Sequence, residues 1–278
     1  MSFAKNKYPS SNKIEYNYNY KPNTSIIINY FTSLNTLLNT INNLRKLGDD
    51  IEIIVNNDKA LNSDKIMNTL NKRNDRLVVC NDLGERRGYH HGASISNASE
   101  YLIFTQDDDL APLNNNWYLD CLKEFKNDDK LGMIGLLKGG INYGSKNIKR
   151  YDNYEKVYCS WLATGPLMIK KNLYFKVKGF SEEYSQIGEF DGGADADLAT
   201  KVWLSGYKSL LLRTNNVKEW KRRYNRGDNK TPIEIKNIVN RKKRLALNND
   251  IYYNKYKNIN NNINEIINKN NNFIGIKL

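Results

Sequence analysis

The chain has few of the residues that build disulfide or zinc scaffolds. Its 278 residues include three cysteines and two histidines. Cys80, Cys121 and Cys159 are scattered, with neither the paired spacing of a disulfide framework nor a zinc pattern. Free thiols in a reducing compartment are therefore expected, and with them a cytoplasmic location. His90 and His91 are adjacent, and no further histidine or paired cysteine completes a ligand set. Packing on a helix is the expected role for them, with a metal or catalytic role as the alternative. No apolar run reaches the roughly 18 residues that a membrane span needs, and the N-terminus lacks the apolar core of a signal peptide. No internal repeat is evident, which sets aside solenoids and propellers.

Hydrophobic residues make up 40%, enough for a sizeable core in one large α/β domain or two small ones. The formal net charge is +13, which favours polyanions, anionic surfaces or phosphorylated ligands. The basic residues form no single amphipathic stripe. They cluster at Lys221-Arg222-Arg223 with Arg226, and again at Arg241-Lys242-Lys243-Arg244. No specific nucleic-acid partner is expected, and such binding would show itself by a steep salt dependence. The abundance of Asn, Lys, Ile and Tyr also matches A/T-rich codons.

Residues 1–22 lack periodicity and read as an N-terminal arm. From Ser25 onward, short β-branched runs alternate with helical spacing. Ser25–Ile28 reads as a strand, Leu34 to Leu44 as a helix and Ile51–Val55 as a strand. Leu61–Leu70 reads as a helix, Arg76–Cys80 as a strand, Gly88–Ala98 as a helix and 101–106 as a strand. This alternation implies an α/β fold with a mostly parallel sheet and helices on both faces. Further on, helices are expected at Trp117–Phe125, Asn172–Val177, Asp195–Leu204 and from Pro232 to about Leu247. Strands are expected at Met133–Leu137, Leu167–Ile169 and Tyr207–Leu212. Residues 138–160 are read as an irregular, substrate-facing segment, and the Asn-rich tail from Lys257 as either a packed arm or disorder.

The most informative feature is Asp107-Asp108-Asp109, directly after the apolar run Tyr101–Phe104. Three carboxylates cannot remain unpaired in an apolar core, so they belong where the strand emerges. Hard divalent cations take oxygen ligands, and Mg²⁺ is often held by one or two carboxylates plus substrate phosphates. Open α/β sheets bind ligands at that edge. The triplet thus points to a metal-bound phosphate ester, with a solvated acidic turn as the bland alternative.

The order of motifs resembles family-2-like glycosyltransferases with the GT-A fold, a mostly parallel, Rossmann-like mixed sheet. The resemblance covers about residues 24 to 220. It rests on Ser25-Ile26-Ile27-Ile28-Asn29-Tyr30, on Glu52 to Asp58, and on Asn81-Asp82-Leu83-Gly84 with Gly92. It continues through Asp107-Asp108-Asp109, Gly165 to Lys171 with Gly179-Phe180, and Asp195-Ala196-Asp197-Leu198 with Gly206-Tyr207-Lys208. Departures are Asn29 in place of a usual proline, Tyr89-His90 in place of Arg-Asn, and Ala194 in place of Glu. Val217 to Trp220 also stands where many members carry a histidine metal ligand.

The resemblance implies a GT-A domain over 23–220, with a donor half at about 23–112 and an acceptor half at about 113–220. A helical, basic extension follows at 221–278. It implies metal-dependent, inverting transfer from a nucleoside-diphosphate sugar, with UDP-sugar expected, to a hydroxyl of a glycan or glycosylated acceptor. The cofactor would be Mn²⁺ or Mg²⁺. Asp109 is the expected direct metal ligand, with Glu219 in place of the histidine. Asp107 is expected on the metal or the ribose, while Asp108 is ambiguous. Asn29, Tyr30, Phe31, Asn57, Asp58 and Gly84 would line the nucleotide site, with core packing as the alternative for Tyr30 and Phe31. Asp195 would be the general base, or simply an N-cap. Asp197 reads as helix electrostatics or a loop anchor, and Tyr158 and Trp161 as platforms for an acceptor sugar. A basic residue among Lys221 to Arg226 would meet the diphosphate, or be a solvated loop. Two other classes are open. One is a degenerate GT-A protein that binds sugar or nucleotide without catalysis. The other is a nucleotidyltransferase, which wants a Gly-rich basic loop that Asn29 to Leu34 does not supply.

Overall fold

The computed structural model describes residues 20–48, 50–70, 74–80, 83–184, 193–222 and 232–276. The first strands, β1 (Thr24–Tyr30) and β2 (Ile51–Asn57), are buried at every residue. Successive strand residues face opposite sides, so both faces are covered, and Ile-rich runs suit such a position. Between and after them come α1 (Leu34–Leu44), α2 (Ser63–Thr69), β3 (Arg76–Val79), α3 (Glu85–Ser94) and β4 (Tyr101–Gln106). Then follow β5 (Asp109–Leu110), α4 (Asn116–Asn127), β6 (Leu131–Gly135), β7 (Gly139–Ile141), β8 (Lys149–Arg150), β9 (Lys156–Tyr158) and β10 (Trp161–Leu162). The chain continues through β11 (Leu167–Lys170), α5 (Lys171–Lys176), α6 (Ala194–Leu204), β12 (Lys208–Leu212), β13 (Lys221–Arg222), α7 (Pro232–Tyr256) and α8 (Asn260–Phe273).

The main sheet runs β3-β2-β1-β4-β11-β6-β12-β9. Strands β3, β2, β1 and β4 are mutually parallel, as are β6 and β12, while β11 runs antiparallel between β4 and β6. Because all four leading strands point one way, their C-terminal ends form one continuous edge. Helix α3 lies on the face that carries Ile27 and Phe104. A Cβ at Gly92 would stand 2.5 Å from Ile27 Cγ2, and Tyr89 packs edge-on against Phe104 at 5.1 Å. Helix α4 lies on the other face, where the Tyr118 and Thr24 hydroxyls share a hydrogen bond of 2.7 Å.

The segment expected to be irregular instead forms strands. β10, β7 and β8 make a second, three-stranded sheet, and β9 closes the edge of the first. Their brevity hides any period-2 signal. The tight approach depends on glycine, because a Cβ at Gly140 would lie 1.9 Å from the Lys149 carbonyl oxygen. The Asn-rich tail is helix α8. Ile263 and Ile267, one turn apart, face inward and are buried. Asn271 accepts the Tyr158 N–H at 2.7 Å and donates to the Tyr158 carbonyl at 3.0 Å, so its amide covers the open edge of β9. Among the described residues, no helix is long and apolar enough to cross a membrane. Cys80, Cys121 and Cys159 are free thiols.

Candidate active site

Asp107, Asp108 and Asp109 leave the sheet at the C-terminal end of β4, beside the ends of β1 and β2. The three side chains have different tasks. Asp107 Oδ2 accepts the backbone N–H groups of Phe31, Thr32 and Ser33 at 2.9, 2.7 and 2.7 Å, which holds the turn between β1 and α1. Asp109 was expected to face a metal. It is only 1% exposed, and its Oδ2 accepts the Thr105 hydroxyl at 3.0 Å and the Gln106 N–H at 3.2 Å. Asp108, half-buried in the turn between them, is the most accessible of the three. Asp109 also opens β5, which pairs with β13 so that Arg222 lies opposite it in register.

Asp195 lies in the first turn of α6, with its Oδ1 accepting the Ala196 N–H at 2.9 Å. Burial pushes its carboxyl above the ordinary value, and nearby Glu85 adds to this. The Arg86 guanidinium and the Ala196 and Thr164 backbone N–H groups pull the other way. The Tyr143 hydroxyl is close enough for the Asp195 charge to add to the upward push of its own burial. A polar chain links this carboxylate to the end of β4. Gln106 donates to Glu85 at 2.7 Å, Glu85 pairs with Arg86 at 3.2 Å, and Arg86 donates to the Thr164 hydroxyl at 2.6 Å.

A model of the family described as glycosyl transferase family 2 matches residues 25–187, more than half of the chain. The chain belongs to glycosyl transferase family 2. Solved structures agree on the fold. S. aureus TarS 1–349 aligns with a TM-score of 0.54 at 14% identity, over 69% of this chain and 58% of that one. GalNAc-T7, crystallised with UDP, GalNAc and Mn²⁺, aligns with a TM-score of 0.54 at 15% identity, over 68% and 42%. A TarS structure in complex with UDP gives a TM-score of 0.51 at 15% identity, over 69% and 58%. The chain thus spans less than two thirds of the length of these neighbours. No curated protein matches it. The fold is accordingly of the GT-A type, a mixed and mostly parallel sheet flanked by helices.

In this family member the strand ends gather the residues expected at a nucleotide site. Tyr30 is buried, and its hydroxyl accepts from Asn62 at 2.8 Å. Phe31 is 45% exposed, with the Lys59 ammonium 4.8 Å from its ring centre. Asn29 donates to the Glu85 carbonyl at 2.6 Å, and Asn57 donates to the Leu61 carbonyl at 2.8 Å. Asp58 accepts the Leu83 and Gly84 N–H groups at 2.7 and 3.1 Å, anchoring the approach to α3. Each carboxylate oxygen has a second acceptor site, so this anchoring leaves capacity for a ligand. The amide oxygens of Asn29 and Asn57 and the amide nitrogen of Asn56 are buried without a hydrogen-bond partner.

Other expected residues lie elsewhere. Glu219 is exposed and accepts from Asn114 at 2.8 Å. Among the described residues, no three His, Cys, Asp or Glu side chains stand in metal-holding geometry. Tyr158 is buried at the sheet edge and donates to Asp128 at 3.3 Å. Trp161 is buried with its ring 5.8 Å from that of Tyr143, so neither presents a free face. His90 packs beside Tyr174, and Trp203 donates to the Cys159 carbonyl in the core. Asn81-Asp82, Asp191-Gly192 and Arg223 to Arg226 lie outside the described residues, as does the arm up to residue 19.

The sequence reading missed Glu85, Arg86, Gln106, Tyr143 and Thr164. A signal for Arg86 was present. Arg86 and Arg87 sit in the first turn of α3, where the helix dipole disfavours cations. Arg86 pairs with Glu85 in that same turn and also acts on the Asp195 charge.

Proposed function

We propose that this protein is a glycosyltransferase that moves a sugar from a nucleoside-diphosphate sugar, a UDP-sugar in the first instance, to a hydroxyl of a glycan acceptor with inversion. The polar chain from Gln106 through Glu85, Arg86 and Thr164 to Asp195 is the observation that carries this reading. It joins the end of β4, which carries the three aspartates, to a half-buried, cation-flanked carboxylate at the start of α6. The UDP in the TarS and GalNAc-T7 crystals supports the choice of nucleotide. Phe31, as an exposed ring, would carry the base. Asp58, Asn57, Asn29, Tyr30 and Gly84 would shape its pocket.

The donor set at Asp107 to Asp109 is all oxygen, which suits Mg²⁺ or Mn²⁺. Few carboxylates converge there, so such a cation would complete its shell from the diphosphate and water. Asp108 would be the direct ligand, with Asp107 and Asp109 fixing the turn. When bound, such an ion would neutralise charge on the departing diphosphate. Asp195 takes the proton from the acceptor hydroxyl as that oxygen bonds the anomeric carbon. The bond from that carbon to the phosphate oxygen breaks on the opposite face, and nucleoside diphosphate leaves. One displacement of this kind inverts the configuration.

The test is a thermal-shift and hydrolysis panel of UDP-, GDP-, CMP- and dTDP-sugars with and without Mn²⁺, run on the wild type and on Asp195→Asn. Metal-dependent stabilisation by one nucleotide class in both proteins, with sugar release only in the wild type, is expected. Stabilisation without release in the wild type would favour a binding protein, and no stabilisation would sink the nucleotide-sugar reading.

A further inference from the structure

The last turns of α7 grip the chain on both sides of Asp195. Asp197 is completely buried. Its Oδ1 accepts from Lys255 at 2.8 Å and from the Tyr256 hydroxyl at 2.7 Å, while its Oδ2 accepts the Ser181 hydroxyl at 2.5 Å and pairs with Lys201 at 3.1 Å. Burial alone would push this carboxyl up, but Lys201, Lys255 and the two hydroxyls hold it below the ordinary value. Lys255 reaches Glu183 as well, at 2.5 Å, and Asn248 donates to the Tyr184 carbonyl at 2.8 Å. On the other side, the Tyr252 ring meets Tyr143 edge-on at 5.2 Å. Asn264 of α8 donates to Asn142 at 2.6 Å.

These contacts matter because of how α6 begins. Its N-cap is Gly193, at φ +84°, which offers no side chain, and within the first turn the Ala196 N–H is taken by Asp195 Oδ1. A first turn whose cap residue has no side chain is held less firmly, since its leading N–H groups lack backbone partners within the helix. Asp195 and Asp197 are two residues apart, about 200° around the helix, so they point to opposite sides. Fixing Asp197 from behind therefore sets the rotation of the turn and the aim of Asp195.

We propose that Lys255 and Tyr256 are positioning residues for Asp195, acting by clamping Asp197 from a helix that lies outside the family-matched residues. This rests on the reading of Asp195 as the general base. The C-terminal helices are then part of the machinery that aims the base, in addition to covering the sheet.

The test uses full-length Tyr256→Phe, Lys255→Met and Lys255→Arg, with Asp195→Asn as reference. Backbone amide exchange over 193–197 is read by mass spectrometry, and UDP-glucose, UDP-GlcNAc and UDP-GalNAc hydrolysis with Mn²⁺ gives kcat and KM. Tyr256→Phe and Lys255→Met are expected to speed exchange over 193–197 but not in β1 or β4. They are expected to lower kcat by about 10- to 100-fold with the donor KM unchanged, since small misplacements of a reacting group cost that much. Lys255→Arg is expected to restore most of the rate. Unchanged exchange, or a wild-type kcat beside a lowered melting temperature, would overturn the proposal. Should Lys255→Met fail to fold, Tyr256→Phe, which removes one hydroxyl, decides alone. A wild-type rate in Asp195→Asn would overturn the base reading and the clamp's role with it. Loss of activity there beside a wild-type Tyr256→Phe would overturn the clamp only.

Discussion

Arg86 Nη1 donates to the Thr164 hydroxyl at 2.6 Å and so ties the first turn of α3 to the loop that precedes β11. Arg86 is 5% exposed, and its guanidinium stands over the Phe180 ring at 5.0 Å. Its charge opposes the upward push that burial gives Asp195. A base must be ionised to act. Arg86→Met should therefore move the acid limb of the kcat profile to higher pH, with about a tenfold loss below the limb for each unit moved. Arg86→Lys should recover part of the shift, because an ammonium keeps the charge but not the fork. A pH–rate series on the three proteins checks this.

The same burial has a stability consequence of definite sign. The folded-state value of Asp195 is raised above its unfolded value. Its contribution to stability is therefore fully present below the unfolded value and is lost as pH rises through the folded one. At neutral pH the wild type carries the cost of a buried charge that Asp195→Asn does not. Asp195→Asn is expected to melt at or above the wild type at pH 7, with the gap closing as pH falls below the carboxylate range. Melting temperatures across pH 4 to 8 would show it, and a mutant less stable at pH 7 alone would contradict it.

The parallel half of the sheet was legible because β1, β2 and β4 are apolar runs with acids or amides at their ends, and physical chemistry allows those ends one location. The three consecutive aspartates marked the edge for the same reason. Their division of labour was not legible, since which carboxylate turns inward depends on the N–H groups of Phe31 to Ser33, far away in sequence. The strands between Gly139 and Tyr158 are too short to show a period. Arg86 escaped because its partners, Thr164 and Asp195, come from segments that only the folded sheet brings together. Asp197 was read from the sequence as helix electrostatics or a loop anchor, but Lys255 and Tyr256 lie past Leu247, where the expected helix ended, in Asn-rich sequence that conceals its packing.

Gly88 marks where α3 presses on the strand ends. A Cβ there would lie 2.3 Å from Asn56 Nδ2 and 2.7 Å from Asn29 Oδ1. Neither amide can swing away freely, since Asn29 is bonded to the Glu85 carbonyl and Asn56 accepts from Cys80 at 3.0 Å. Gly88→Ala should therefore cost about 1–3 kcal/mol, the usual range for overpacking a close-fitted interior. It should also weaken UDP binding by displacing α3. Denaturant unfolding and UDP titration test both effects, and a stable variant with unchanged UDP affinity would show that the helix has room to move.

Asp107 and Asp108 are neighbours whose loss should have opposite signatures. Asp107 holds three backbone N–H groups of the β1–α1 turn on one oxygen, and hydrogen bonds to a charged group contribute about 1.5–3 kcal/mol each at most. Such bonds on one atom are not additive. Asp107→Ala is therefore expected to destabilise the fold by about 2–4 kcal/mol, with Asp107→Asn milder because an amide oxygen keeps an acceptor. Asp108 is half-buried in a turn that Asp107 and Asp109 already fix. Asp108→Ala should cost less stability than Asp107→Ala yet abolish the extra thermal stabilisation expected of Mn²⁺ in the presence of UDP. Asp109→Ala should resemble Asp107→Ala, because its carboxylate is spent on Thr105 and Gln106. Full Mn²⁺ dependence in Asp108→Ala, with its loss in a well-folded Asp109→Ala, would return the ligand role to Asp109 and require its side chain to turn outward when the donor binds.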